Sequence, residues 1–408
     1  MNDTESIVGA AALARMAFSG EDLLPLAEAM MHRIERDPKD AAALMDLSTI
    51  FHLLFKPGVA LSFQSRALAI TPHYHLPAPA GNARIRMLAI MTAGDLMANT
   101  PIDFLLANSR ISLDMLYVAV DLPFPKPVPE HDIVFVAVAD SDENAAVLEM
   151  LQEHLESWSR PVLNMPARIG RTTREGTFEA LRTIPEIEIP PQSRVGRVQL
   201  EAMAAGASHL GELIPDAGGS VVVRPVDSHA GRGLEKMDTD SGSYACIRDY
   251  LSSHPDDCFY LSSFVDYRSQ DGLYRKYRVV LIDGKPYASH MAISSDWMVH
   301  YLNAGMLESA EKRREEEEFM VTFDAEFAVR HQEALRKLNS VFDLDYLVVD
   351  CAESRDNRLL VFEVDSSAVV HAMDPVEIFP YKHQQMGKVF AAFQRMVAER
   401  CGECVEPV

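Results

Sequence analysis

Asp345-Tyr-Leu-Val-Val-Asp-Cys351 and Leu359-Leu-Val-Phe-Glu-Val-Asp365 are two apolar, β-branched runs, with Asp356-Asn357 between them. Such runs read as buried strands, and Asp-Asn as a tight turn. With those two residues as the loop, Asp350 stands opposite Glu363, and Val348 opposite Asp365. Side chains alternate along a strand, so Asp350, Glu363 and Asp365 share one face. Three carboxylates among apolar neighbours stay ionised only beside a cation. Oxygen donors without His or Cys suit Mg²⁺, which makes these three the candidate metal ligands. Ordinary acids at strand ends are the plain alternative.

A second stretch, Val221-Val-Val-Arg-Pro-Val-Asp-Ser-His-Ala-Gly-Arg-Gly-Leu-Glu235, reads as a strand stopped by proline and followed by a small-residue loop. Gly231 and Gly233 let backbone N–H groups approach an anion. Arg224 leaves the strand end with a permanent charge and five donors suited to phosphate. The stretch has neither the Gly-Lys-Ser/Thr of a Walker loop nor the glycine spacing of a dinucleotide site. A glycine turn between strands would look the same.

The chain has 408 residues and 48% hydrophobic content, enough for two to three domains with a sizeable core. A formal net charge of -22 argues against nucleic acid or an anionic membrane as a general partner. Five cysteines (246, 258, 351, 401, 404) are few and odd in number, which fits a reducing, cytoplasmic setting. The Cys401–Cys404 pair reads as a frayed tail rather than a redox or metal motif. No apolar run is long enough to span a membrane, and the basic stretch of a secretory signal is not seen at the N-terminus.

Residues 1–78 read as all-helical. Leu44, Leu47, Phe51, Ala60, Ala67 and Pro72 fall at tetratricopeptide spacing, with Lys56-Pro57-Gly58 as the turn and 23–36 as part of a preceding repeat. They form either a cap on the next domain or a groove for a protein or peptide partner. Residues 73–81 read as a linker. Strands at 84–91, 113–120, 132–138 and 161–164, with helices at 101–107 and 143–158, form a βα layered domain with a parallel sheet. Arg168, Arg171 and Arg174 make a local basic patch. Further strands are expected at 259–266, 274–282 and 285–293, the last two joined by Asp283-Gly284. Residues 308–318 read as a solvated helix or loop, and 324–339 as a helix. Lys276 and Arg278 share one strand face. They repel unless an anion lies near; Asp271 and Asp283 are the neighbouring acids that could neutralise them.

Together these pieces resemble the ATP-grasp superfamily, nearest its branch of glutathione synthetases and ribosomal-protein glutamate ligases. Four segments carry the resemblance, in family order: Asn164–Arg174; Val221–Gly233; Lys276–Gly284 with Arg278; and Asp350 with Phe362-Glu363-Val364-Asp365. It spans about residues 84–395, leaving the helical segment outside. Arg174 and Arg224 stand where the family has lysines, and Asp365 where it has Asn. The resemblance implies an α/β and α+β multidomain fold. A tetratricopeptide-like segment (1–78) would precede a βα pre-ATP-grasp domain (79–188). An ATP-grasp domain of two α+β subdomains (189–408) would follow.

The activity implied is an ATP-dependent carboxylate–amine ligase, working through an acyl phosphate and joining an amino acid, peptide or protein acceptor, as in peptide biosynthesis. Arg174 and Arg224 would hold the ATP phosphates, with Ser228, His229, Ala230, Gly231 and Gly233 closing over them. The backbone of Ser263, Phe264 and Val265 would meet adenine, and Asp266 the ribose. Asp350, Glu363 and Asp365 would hold Mg²⁺. Arg278 would reach the acyl phosphate beside Lys276, and His300 would line the acceptor pocket with the rest of 296–303. His290 and His300 read equally well as packed or solvent-facing. Alternatives are a non-catalytic nucleotide-binding scaffold with a partner-docking segment, or a kinase that stops at phosphate transfer. A homodimer is compatible with all three.

Overall fold

The computed structural model describes residues 6–215, 219–226, 228, 231–238 and 245–403. Four helices, Ala10–Phe18, Leu24–Arg36, Ala41–Leu53 and Pro57–Leu68, come first. Ala43, Leu44, Leu47, Ile50, Ala60 and Ala67 are fully buried, so small and branched residues close the crossing of the last two helices. The turn between those helices is Leu54–Lys56, with Phe55 left-handed at φ 56°. Pro57 starts the next helix rather than sitting in the turn, because a first helical position wastes no N–H on proline.

The expected linker is in part a strand. β1 (His73–Leu76) pairs antiparallel with β3 (Ile111–Val118) at the edge of a five-stranded sheet. Its other strands are β2 (Ile85–Thr92), β4 (Ile133–Val136) and β5 (Val162–Leu163), in the order β1-β3-β2-β4-β5. β2, β3, β4 and β5 pair in parallel. Their near-continuous apolar runs match a sheet covered on both faces.

β6 (Ile187–Glu188) belongs to another sheet. β7 (Gln192–Gly196), β8 (Ser220–Pro225), β9 (Glu235–Asp238) and β10 (Cys258–Ser263) form a small antiparallel sheet, β7-β10-β8-β9, with its own core of Val195, Leu200, Val221, Val223, Phe259 and Leu261. β11 (Tyr274–Ile282), β12 (Lys285–Ser294), β13 (Tyr346–Glu353) and β14 (Leu359–Asp365) form the third sheet, β12-β11-β13-β14-β6. The helix Pro380–Arg400 packs on it and was not expected from the sequence. The charged run at 308–318 lies in the helix Ala310–Thr322, and Glu316 within it is fully buried rather than solvated.

Two side chains staple the first sheet to the third. Asn164, left-handed at φ 53° and fully buried, accepts from Tyr346 N at 3.0 Å and donates to Tyr346 O at 2.9 Å, standing in for a strand residue. Thr100 Oγ1 donates to Ser366 O at 2.9 Å, just past β14. Phe135, Tyr346 and Phe393 fill the space between, with ring centroids 5.7–6.4 Å apart.

Removing residues 1–78 therefore removes β1 as well. It bares the β3 edge and the apolar surface of Met115 and Tyr117, on which the helices pack. The expected product is aggregated in size-exclusion chromatography. A monodisperse truncation with native circular dichroism would contradict this packing.

Candidate active site

The hairpin of β13 and β14 keeps the expected register by a different route. Asp350 does oppose Glu363, and Val348 opposes Asp365. The closing pair, however, is Ser354 with Arg358, and Asn357 takes the left-handed position at φ 60°. The loop is thus one residue longer than Asp356-Asn357. A bulge restores the pairing, since Cys351 opposes Val361 and Phe362 is the extra residue.

Asp350 is buried and sits opposite Arg278 on β11. Its Oδ1 accepts from Arg278 Nε at 2.7 Å, and its Oδ2 from Arg278 Nη2 at 3.0 Å, with Lys276 Nζ 2.7 Å away. Arg278 Nη1 reaches Val369 O at 3.1 Å. Burial would raise the Asp350 carboxyl, but Arg278 and Lys276 outweigh it and hold it well below the usual range. The anion between Lys276 and Arg278 is therefore Asp350. Asp271 pairs instead with Arg275, and Asp283 with Arg400.

Glu363 Oε1 accepts from Arg174 Nη2 at 2.8 Å, at the start of the helix Arg174–Leu181. Burial opposes its charge, while Arg174 and Arg224 pull its carboxyl below the ordinary value. Asp365 accepts from Ser367 N at 2.6 Å and Ser367 Oγ at 2.7 Å. Burial and the neighbouring Glu363 push its carboxyl up. Among the described residues, no three His, Cys, Asp or Glu side chains are arranged to hold a metal ion. Of the three expected ligands, Asp350 has both oxygens taken by Arg278 and Lys276. The premise that these carboxylates need positive charge holds. What strand-by-strand reading left out is that other elements supply much of it.

Glu363 and Asp365 line a cavity of about 1110 Å³ with Arg174, Arg224, Ser228 and Tyr260, between the first and second sheets and β14. Arg224, opposite Tyr260, donates from Nε to Ser228 Oγ at 3.1 Å. Burial and Arg174 lower its pKa to about 10, which leaves it charged at neutral pH. Arg174 lies over the Tyr260 ring at 5.8 Å. His229 and Ala230 lie outside the described residues, as does Asp227. Gly231 and Gly233 have φ of 75° and 66°, and a Cβ on Gly233 would stand 2.8 Å from Pro225 Cδ, so Gly233 lies directly against the end of β8.

The Ser263–Asp266 segment follows β10. The N–H groups of Ser263 and Phe264 are used by Pro191 O and Ser220 O, both at 2.9 Å. Asp266 is paired with Arg268 at 2.6 Å and Arg355 at 2.8 Å, and Arg268 first among these holds its pKa at about 2. Lys236 Nζ stands 3.7 Å over the Phe264 ring, a contact with no sequence signal. His300 caps the short helix Tyr301–Asn303; burial, then Lys276 and Arg278, lower its pKa. His290 faces Arg278 across β11 and β12, packs on Tyr301 at 4.7 Å, and is neutral through burial and the nearby Arg278 and Lys382.

Sequence reading missed a buried network beside this centre. Lys382 Nζ lies 3.3 Å from Glu316 and 3.2 Å from Asp374, and it donates to Tyr301 OH. Tyr301 and Tyr381 donate to Glu316 Oε2 at 3.0 and 2.6 Å. These residues come from two stretches far apart in the chain, 301–316 and 374–382, so no local pattern could reveal them.

Comparison with protein-family models and with curated proteins gives no match. Solved structures similar to this chain include a RimK domain ATP-grasp protein of Sphaerobacter thermophilus, at 13% identity and TM-score 0.42, covering 76% of this chain and 99% of that one. The D-alanine–D-alanine ligase of Bacillus anthracis, complexed with ATP, has 13% identity and TM-score 0.42, over 79% and 100%. The VanG D-Ala:D-Ser ligase of Enterococcus faecalis has 11% identity and TM-score 0.46, over 78% and 99%. Among the described residues no helix is long and apolar enough to cross a membrane.

Replacing Asp350 by Ala leaves Lys276 and Arg278 facing each other in a partly buried site. The expected loss is about 3–5 kcal/mol of stability, as for other broken buried pairs. The Asp350 carboxyl is depressed in the folded state, so its contribution is present above the unfolded value near 3.8 and is lost only as pH falls below it. The stability gap between wild type and Asp350→Ala in urea titrations should be constant from about pH 5 to 8 and shrink below about pH 4. An equally stable variant at pH 7 would contradict the clasp.

Proposed function

We propose that the protein is an ATP-dependent carboxylate–amine ligase of the ATP-grasp kind. One observation carries the reading: Arg174 and Arg224 converge with Glu363 and Asp365 on one cavity, beside the clasp of Lys276, Arg278 and Asp350. Two fixed guanidiniums suit a polyphosphate. Glu363 and Asp365 suit a hard divalent cation. Their oxygen donors and the raised Asp365 carboxyl are what such a cation would relieve. Asp350 does not fit as a third ligand. A Mg²⁺ held there would supply charge neutralisation to transferring phosphoryl oxygens.

On this reading Arg174 and Arg224 bind and orient the phosphates, and Glu363, here paired with Arg174, would with Asp365 hold the cation. Ser228, Gly231 and Gly233 close over the nucleotide, and the Ser263–Asp266 segment borders its base and ribose. Arg278, fixed by Asp350 and Val369 O, keeps a rigid guanidinium for charge that grows on the acyl phosphate. Lys276 adds positive potential there, and His300 stands beside Lys276 and Arg278. The carboxylate takes the γ-phosphoryl group, ADP leaves, and the amine then displaces phosphate to form the amide.

A specific observation favours a second reading. Asp350 and Glu363 are already neutralised by protein cations, as in a nucleotide-binding scaffold that performs no chemistry.

ADP release separates the readings. With Mg²⁺ATP, a carboxylate and an amine, the ligase releases ADP and a joined product. Arg278→Ala should bind ATP nearly normally by calorimetry and turn over on the order of 10²-fold more slowly. Arg278→Lys should recover part of the rate, because an ammonium lacks the fork. ADP without joined product would mark a kinase. No ADP with any carboxylate tested would leave the scaffold.

A further inference from the structure

The helix Pro57–Leu68 does more than cap the first sheet. Gln64 is buried, and its side-chain amide pairs with both backbone groups of Gly94. Oε1 accepts from Gly94 N at 2.9 Å, and Nε2 donates to Gly94 O at 3.0 Å. The primary amide thus imitates one rung of a strand ladder. Gly94 has φ 154°, and a Cβ there would stand 2.5 Å from Ala98 Cβ, so the loop is too tight for any other residue.

That loop faces the cavity. Ala93, Gly94, Asp95, Met97 and Ala98 line it, and so does Leu61, one helical turn from Gln64. Asn99 closes the loop on Thr92 with two bonds of 2.8 Å. Thr100 carries the connection to Ser366, next to Asp365. Phe18, at the end of the helix Ala10–Phe18, meets His371 in the segment after β14 at 5.7 Å. The N-terminal helices therefore touch both the loop and the segment that follows Asp365.

We propose that the N-terminal helices form a wall of the substrate cavity, with Leu61 in that wall and Gln64 as the positioning residue that fixes the 93–98 loop against the acceptor. That the occupant is a ligase acceptor rests on the function proposed above. Gln64 bonds Gly94 and neither Arg174 nor Arg224, so its loss should weaken acceptor binding more than nucleotide binding. A loop held at one point by two neutral hydrogen bonds loosens when they go, on the order of tenfold in effect. Leu61→Trp, at a part-exposed position, narrows the cavity without disturbing the core and should exclude large acceptors before small ones.

Hydrogen exchange on the full-length protein tests the wall without requiring turnover. Gln64→Ala should exchange about tenfold faster at residues 93–98. In wild type, Mg²⁺ with AMP-PNP and a mixture of amino acids and dipeptides should protect both 93–98 and 61–64. In ADP-release assays with that mixture, Gln64→Ala should raise acceptor KM about tenfold, with kcat and AMP-PNP affinity nearly unchanged. Gln64→Glu keeps the bond to Gly94 N but sets a carboxylate oxygen against Gly94 O, so it should loosen the loop at least as much as Gln64→Ala. Unaltered exchange at 93–98, no ligand protection there, or equal loss of AMP-PNP affinity would overturn the proposal. Protection without ADP release would instead keep the wall and sink the ligase.

Discussion

A buried carboxylate needs cations, and the sheet that holds Asp350 is arranged to provide them. The β11–β13 pairing sets Arg278 directly opposite Asp350 and brings Lys276 from the same strand face. Removing charge from this point would leave two cations facing each other with little water between them. The next strand depends on the same neighbourhood, because Glu363 lies within electrostatic reach of Asp350 and Lys276 and is held by Arg174 from another element. Register, charge and cavity are therefore one constraint. A slip by one residue would turn the acids of β14 away from Arg174 and into the core.

The same logic extends outward. Asn164 and Thr100 fasten the parallel sheet to the open end of the β13–β14 hairpin, at the start of β13 and just past β14, and Gln64 fastens the helices to the loop before Thr100. Side chains that pair with backbone groups do this work at each junction. Such bonds fix position more than they add net stability, since each replaces bonds to water.

Much of this was legible in the sequence where period and turn chemistry speak. The β13–β14 register followed from two apolar runs, although the loop and the bulge each departed by one residue and cancelled. The strands of the parallel sheet followed from their continuous apolar runs. What stayed hidden was long-range pairing. Nothing near Asp350 in sequence says that Arg278 will take its oxygens, and nothing near Glu316 says that Lys382 and Tyr381 will bury it. β1 was masked by its His and Pro neighbours, which read as linker until β3 supplied a partner. Composition also misled at 308–318, where one buried acid sits in an otherwise solvated run.

For the proposed ligase, Glu363 would have to leave Arg174 to hold, with Asp365, a divalent cation beside the nucleotide. A crystal structure with AMP-PNP and Mg²⁺ tests it most directly. The account predicts the triphosphate between Arg174 and Arg224, the metal on Glu363 and Asp365, the Arg174–Glu363 contact opened, and the Arg278–Asp350 clasp intact. A nucleotide bound elsewhere, or bound here with Glu363 still paired to Arg174 and no metal on β14, would contradict it.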